Sequence, residues 1–295
     1  MQLSPRVHAL RIPFQVPVGP NRVIDRFVFS YVVLGKDTWI IDAGVRGSAQ
    51  ALLEFVATLG RASDSIKHIL LTHGHIDHVG GAAELVQRTG ARIHAHPAER
   101  HWIEDLVRQE RERPVPGFFQ LASDSVRIDE ELVNDQRLEL APDLHLRVYH
   151  VPGHSPGGCA FFLEEERILF SGDAVPVVGD MPVYDDPLAS AHSLAKLRCI
   201  RIIQLLASAW DTPRHGEEVD RVLTAASDLL ERIHRAVVAQ PVPTNDAERH
   251  TFCLAVLEQL GLPEQMANPV VLRTLTGHLE HRGMSSLLGC DHGRP

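Results

Sequence analysis

Between Thr72 and His78 the chain reads Thr-His-Gly-His-Ile-Asp-His, which places four potential metal ligands within six residues. Imidazole nitrogens suit Zn²⁺ or Fe²⁺, and the Asp77 carboxylate adds a hard oxygen donor. On a strand His73, His75 and Asp77 would share one face; on a helix they would spread around it. A loop centred on Gly74 lets successive side chains turn toward two adjacent points. Three further segments complete the pattern. Pro152-Gly153-His154-Ser155-Pro156-Gly157 is a tight loop that aims one imidazole in one direction. In Ser171-Gly172-Asp173-Ala174 a carboxylate emerges beside a glycine that permits close backbone approach, and its two oxygens can bridge two cations. Asp42, in Ile40-Ile41-Asp42-Ala43-Gly44, ends another apolar run. Alone, Asp42 or Asp173 would be read as a strand-end cap. Together, each at the end of an apolar strand, the four segments describe a metal site.

The elements that must carry these residues follow from periodicity. Residues 28–34 predict a strand, Gly35-Lys36-Asp37 a turn, and residues 38–41 the strand that ends at Asp42. Leu52, Leu53, Val56 and Leu59 recur at helical spacing. Residues 66–72 predict a strand apolar enough to be buried on both faces. A helical pattern over 82–88 stops at Gly90, residues 91–95 predict a short strand, and Pro97 opens a charged helix ending before Pro114. Residues 114–143 predict loop with some strand, suited to covering a site. Three consecutive strands follow at 146–151, 159–163 and 167–171, then a helix capped by Ser190 with Leu194, Leu197 and Ile200 or Ile203 inward. From Glu217 the pattern is helix only. Val219, Val222, Leu223, Ala226, Leu229, Leu230, Ile233 and Val237 form one stripe, Pro241-Val242-Pro243 breaks it, a second run starts at Asp246, and Asn268-Pro269 opens a third. The expected organisation is an α/β catalytic domain over 1–215 and an all-helical C-terminal extension over 216–295.

Composition narrows the function classes. The chain has 295 residues, 44% hydrophobic and 23% charged, which excludes long disorder. Its net charge of −9, without a Lys/Arg run, argues against nucleic acid as a partner. No apolar run reaches the roughly 18 residues of a membrane span. The first residues lack a basic-then-apolar leader, so the expectation is a cytoplasmic chain with no membrane partner. Cys159, Cys199, Cys253 and Cys290 are far apart with no CxxC pair, and are expected to be buried reduced thiols.

On its HxHxDH, PGHSPG and SGDA motifs the chain resembles the metallo-β-lactamase superfamily of hydrolases over residues 7–210. The resemblance implies an α/β fold, the αββα sandwich of two sheets with helices outside, here with an all-helical C-terminal extension. It also implies two divalent metal ions, zinc first and manganese or iron as alternatives. By motif, His73, His75 and His154 would ligate one metal, Asp77 and His78 the other, and Asp173 would bridge them. Asp42 matches the acid that orients the HxHxDH loop through hydrogen bonds. The family's last ligand is a histidine in a Gly-His-Gly turn; this chain has Trp210-Asp211-Thr212-Pro213-Arg214-His215-Gly216 instead. Asp211 is preferred over His215 because it sits nearer the end of the preceding apolar pattern, with His278 or water as the remaining choice. An oxygen donor there would weaken the site for zinc and raise tolerance for Mn²⁺ or Fe²⁺.

The activity so implied is attack by a metal-bound hydroxide on a small ester, thioester or lactone, with Asp77 also relaying a proton. Tyr184 either places its phenol over a substrate oxygen or packs. Phe118 and Phe119 either wall an apolar pocket or join the core, while His94, His96 and His101 are read as packing or surface residues. Two alternatives keep the fold: a mononuclear iron dioxygenase acting on persulfides through a set such as His73, His154 and Asp173, and a low-turnover ligand-binding or regulatory member. The tail is compatible with a glyoxalase II-like or lactonase-like branch, although Arg221, Arg232, Arg235, Arg249 and Arg273 lie scattered among acids. Its stripe over 219–237 would cover the site or join two copies as a homodimer; the other expected partner is a small-molecule substrate. Replacing Asp211 and His215 separately identifies the last ligand. Only one of the two changes lowers the metal content of the purified protein, measured by elemental analysis.

Overall fold

The apolar runs pair into two sheets in the computed structural model, which describes residues 1–19, 22–122 and 124–288. The first sheet holds β1 (Val7–Gly19), β2 (Arg22–Leu34), β3 (Thr38–Ile41), β4 (Ile66–Leu70), β5 (Arg92–Ala95) and β6 (Glu130–Glu131) in that order. It is mixed: β1, β2 and β3 pair antiparallel, and β3 through β6 pair parallel. The second sheet runs in the order β12 (Arg214–His215), β11 (Leu205–Ser208), β10 (Ile168–Gly172), β9 (Cys159–Leu163), β8 (Leu144–His150), β7 (Arg137–Ala141). Parallel pairing needs crossovers, and α1 (Ser48–Thr58) and α3 (Ala82–Thr89) supply them between β3 and β5.

By contacts the chain forms two compact units. One comprises residues 1–150, 157–172 and 207–212; the other comprises 151–156, 173–206 and 213–295. In the first unit the facing sides of the sheets meet where Tyr31 of β2 lies against Phe170 of β10, ring centroids 5.1 Å apart. The Tyr31 hydroxyl donates to the Ser208 carbonyl at 2.6 Å, which satisfies the one polar atom that this ring brings into the core. On the other side of the first sheet, Ile40, Ile69 and Ile93 pack under Leu52 and Val56 of α1 and Leu85 of α3. Gly90 ends α3 in the left-handed conformation expected of a helix stop.

The second unit is built on helices α7 (Pro187–Arg198), α8 (Glu217–Val238), α9 (Asp246–Leu260) and α10 (Pro269–Gly277). The α8 stripe is buried at Val219, Leu223, Ala226, Leu229, Leu230, Ile233 and Val237, while Val222 is half-buried. Its C-terminal half joins Val256 and Leu257 of α9 and Val271 and Leu275 of α10 in one core. Asn245 and Asn268 cap α9 and α10 with their side-chain oxygens, as residues at those positions should.

Four local expectations are corrected. Asp186, not Ser190, caps α7, because its carboxylate accepts from the Ala189 N–H and Pro187 takes the first helical position. The helix then stops at Arg198, so Leu194 and Leu197 point inward while Ile200 and Ile203 lie beyond it. The charged helix after Pro97 is three short pieces: a 3-10 turn (Pro97–Glu99), α4 (Arg100–Ile103) and α5 (Leu106–Glu112). Asp105 starts the last piece afresh by capping the Arg108 N–H. Cys159 and Cys253 are buried, but Cys199 at the end of α7 is exposed; Cys290 lies outside the described residues. No described helix is long and apolar enough to cross a membrane.

Leu52 is fully buried under the first sheet, so Leu52→Ala should cost about 2–5 kcal/mol of stability, read from urea unfolding.

Candidate metal centre

Strand β4 delivers Thr72 and then opens into the histidine loop. Asp42, at the end of neighbouring β3, organises that opening. One carboxylate oxygen accepts from the Thr72 N–H at 2.8 Å, and the other lies 2.9 Å from the Thr72 hydroxyl and 2.8 Å from His78 Nδ1. Asp42 is 2% exposed and adopts φ 59°, a left-handed conformation that aspartate tolerates better than most residues. The main-chain donor and the imidazole hold the carboxylate, and the carboxylate in turn holds His78 with Nδ1 inward. His78 Nε2 then faces Asp77, whose carboxylate is 3.4 Å away.

The short helix α2 (Ile76–Val79) follows His75 as its N-cap, which turns the loop back and brings its imidazoles together. His73 Nε2 and His75 Nδ1 lie 2.9 Å apart, and the His73 and His78 rings are 4.0 Å between centroids. All three rings are buried. Imidazole nitrogens with carboxylate oxygens are donors for zinc, manganese or iron rather than the all-oxygen set that calcium takes, so the residues fit a transition-metal centre.

A buried carboxylate absent from the sequence reading pins the loops. Glu99, with no exposed surface, accepts from the Gly74 N–H at 3.0 Å and from the Gly157 N–H at 2.6 Å. Both glycines are required by contact. A Cβ on Gly74 or on Gly157 would stand 2.7 Å from Glu99 side-chain atoms. The Gln109 amide adds a third tie by donating to the Gly74 carbonyl. Thr72 is stitched to the second sheet as well. Its carbonyl accepts from the Cys159 N–H at 2.7 Å, and Gly172, at φ +50°, lies so close that a Cβ there would be 2.8 Å from Thr72. The ends of β4, β9 and β10 are therefore fixed together, and β9 and β10 are the strands that flank the His154 loop and Asp173 in the chain.

In the second unit His154 Nε2 lies 3.3 Å from an Asp173 oxygen, and both side chains are largely buried. His154 Nδ1 is bonded to the Val183 carbonyl at 2.5 Å. Gly153, at φ +132°, packs its Cα against Ser190, and its carbonyl accepts from the Asp185 and Asp186 N–H groups.

The other candidates stand as follows. The Tyr184 phenol is 2% exposed and bonded to His278 Nε2 at 2.7 Å, so its hydroxyl is engaged inside the protein, and burial raises its pKa. His278 is fully buried in the same cluster. Asp211 is half-buried and accepts from the Thr212 N–H, whereas His215 is an exposed residue of β12. Neither joins a group of metal donors among the described residues. Phe118 is buried and Phe119 is 51% exposed. His94 is buried against His68, and burial followed by the His68 charge lowers its pKa to about 4. His96 stacks flat on His150.

A family model described as the Metallo-beta-lactamase superfamily matches residues 23–209, more than half of the chain. A probable metallo-hydrolase of Bacillus subtilis is 31% identical over 56% of this chain and 64% of its own length. A hydroxyacylglutathione hydrolase of Haemophilus influenzae is 30% identical over 48% of this chain and 62% of its own. An atrochrysone carboxyl ACP thioesterase of Claviceps purpurea is 32% identical over 68% of this chain and 55% of its own. The chain thus spans less than two thirds of the length of each of these curated relatives. A solved metallo-beta-lactamase family protein of Thermus thermophilus shares the fold at TM-score 0.71 and 21% identity, covering 95% of this chain and 94% of that one.

Glu99→Gln keeps the size of the side chain but puts an NH₂ where one glycine N–H needs an acceptor. Stability should fall by about 1–3 kcal/mol in urea unfolding, and zinc affinity should fall with it in chelator competition.

Proposed function

The chain belongs to the metallo-β-lactamase superfamily, and on that premise we propose that it is a metal-dependent hydrolase of small thioesters. What carries the reading is the donor set. In the first unit His73, His75 and His78 crowd together, and in the second His154 lies against Asp173. The motifs divide these donors between two ions, and that division supports a dinuclear centre. The second reading of the sequence, a single iron held by one facial set, leaves His78 and its buried link to Asp42 without a task.

Metal ions held by these donors would supply a Lewis acid for a carbonyl oxygen and a water acidic enough to ionise near neutral pH. The protein supplies the rest. Asp42 fixes the His78 tautomer by accepting at Nδ1, which leaves Nε2 as the donor atom. The Val183 carbonyl does the same for His154. Asp77 keeps part of its carboxylate surface open, with 16% of the side chain exposed. From there it would take up the proton that the attacking water loses and pass it to the leaving group. A thiolate leaves readily without an acid to protonate it, so a site that relies on Asp77 for proton transfer is suited to thioesters. Two of the relatives named above are hydrolases of acyl-thiol compounds by their names, which supports the same class.

The test is a panel of acyl-glutathione and acyl-pantetheine thioesters, matched oxygen esters and lactones, assayed with zinc, manganese or iron and followed by thiol or acid release. Thioester turnover well above that of the oxygen esters is expected. A protein that binds two metal equivalents and cleaves none of the panel would refute the proposal. His75→Ala or Asp173→Ala should remove at least one metal equivalent by elemental analysis and lower turnover by a hundredfold or more, on the order expected when an activated nucleophile is lost.

A further inference from the structure

We infer that the C-terminal helices are part of the support of the metal centre: helix α10 and the residues after it hold the segment whose carbonyl orients His154. This rests on the reading of His154 as a metal ligand. A backbone oxygen only accepts, so the bond to Val183 O obliges His154 Nδ1 to carry the hydrogen and leaves the lone pair on Nε2, the nitrogen that faces Asp173. The aim of that ring is therefore only as fixed as Val183.

The residue after Val183 is held from α10. The Tyr184 N–H donates to the Thr274 hydroxyl, and the same hydroxyl donates to the Tyr184 carbonyl, each at 3.1 Å. The phenol of Tyr184 then enters a directed chain of buried hydrogen bonds. His234 Nε2 meets the Met284 carbonyl at 3.0 Å, which makes it a donor and leaves His234 Nδ1 an acceptor. His278 Nδ1, 3.2 Å away, must donate to it, so His278 Nε2 accepts from the Tyr184 hydroxyl at 2.7 Å. One tautomer of each ring satisfies every bond with both histidines neutral, and burial, which lowers the His278 pKa to about 3, keeps His278 so.

Two more contacts press on the same segment. Arg273 pairs with Asp185 at 2.8 Å, and a Cβ on Gly277 would come within 2.9 Å of the Asp185 carbonyl. The segment in turn holds the peptide that precedes His154, since the Asp185 and Asp186 N–H groups donate to the Gly153 carbonyl. Apolar packing through Val271 and Leu275 already seats α10. The Thr274 hydroxyl and the Tyr184–His278–His234 chain add direction, which apolar packing cannot give. Thr274 and Tyr184 are accordingly positioning residues for His154.

The experiment measures zinc affinity by chelator competition and the visible ligand-field bands of the cobalt-loaded protein, for wild type, Thr274→Val, Thr274→Ser, Tyr184→Phe and His154→Ala, with circular dichroism to confirm folding. Thr274→Val should weaken the tighter-affected zinc equivalent about tenfold to hundredfold, the range for losing a group that orients a ligand, and should shift the cobalt bands. Thr274→Ser should restore both. Tyr184→Phe, which removes a single oxygen, should move them in the same direction and serves if the valine variant does not fold. Wild-type zinc affinity and unshifted cobalt bands in these variants, while His154→Ala loses zinc, would overturn the inference alone. Unchanged zinc binding by His154→Ala would overturn the ligand reading and this inference with it.

Discussion

A carboxylate with almost no access to water sits at the root of the histidine loop, and most of the loop's geometry depends on it. Burying the Asp42 charge is costly unless hydrogen bonds replace its hydration. The Thr72 N–H, the Thr72 hydroxyl and His78 Nδ1 are those replacements. Each is also a constraint: the first fixes where β4 ends, and the last fixes which His78 nitrogen faces outward. The need to satisfy one buried charge thus becomes the device that orients an imidazole. Its unusual backbone angle belongs to the same arrangement, since a left-handed turn after β3 swings the side chain across to β4.

Glu99 repeats the device one layer away with a different class of partner. Its two oxygens meet two main-chain N–H groups from loops far apart in sequence, one in the histidine block and one in the PGHSPG turn. This explains why those loops need glycines at 74 and 157. Any side chain would occupy the space that the carboxylate fills. Glycine here is a requirement of close approach and not of backbone conformation, because neither residue has a positive φ.

Much of this was legible in the sequence, and the exceptions have physical causes. Strand ends were readable because a buried strand is apolar along its length, and the polar residues at those ends stood out by occurring together. Asp42 was legible for that reason, and so was the long α8 stripe. Glu99 was not, since a glutamate in a charged stretch looks like a solvated helix face until the fold closes over it. Cap choice at α7 turned on Asp186 competing with Ser190, and the neighbouring Pro187 was the signal that decided it. For Tyr184 the sequence left open whether the phenol meets a substrate or packs. What its hydroxyl does depends on His278, ninety-four residues away, and no local pattern carries that.

That long-range contact changes what the helical region is for. A tail serving only as a cover or as a contact surface would need its apolar stripes and little else. This one spends a threonine hydroxyl, a tyrosine and two buried histidines on a single stretch of loop, all with their hydrogen bonds paired. Buried polar groups gain little net stability over apolar packing, but they impose direction and register. The beneficiary of that direction is the carbonyl of Val183, and through it one imidazole. The same logic therefore operates at His78 and at His154: a buried acceptor on Nδ1 leaves the lone pair on Nε2. A side-chain carboxylate is the acceptor in one case, and in the other a backbone oxygen whose position is set by the C-terminal helices.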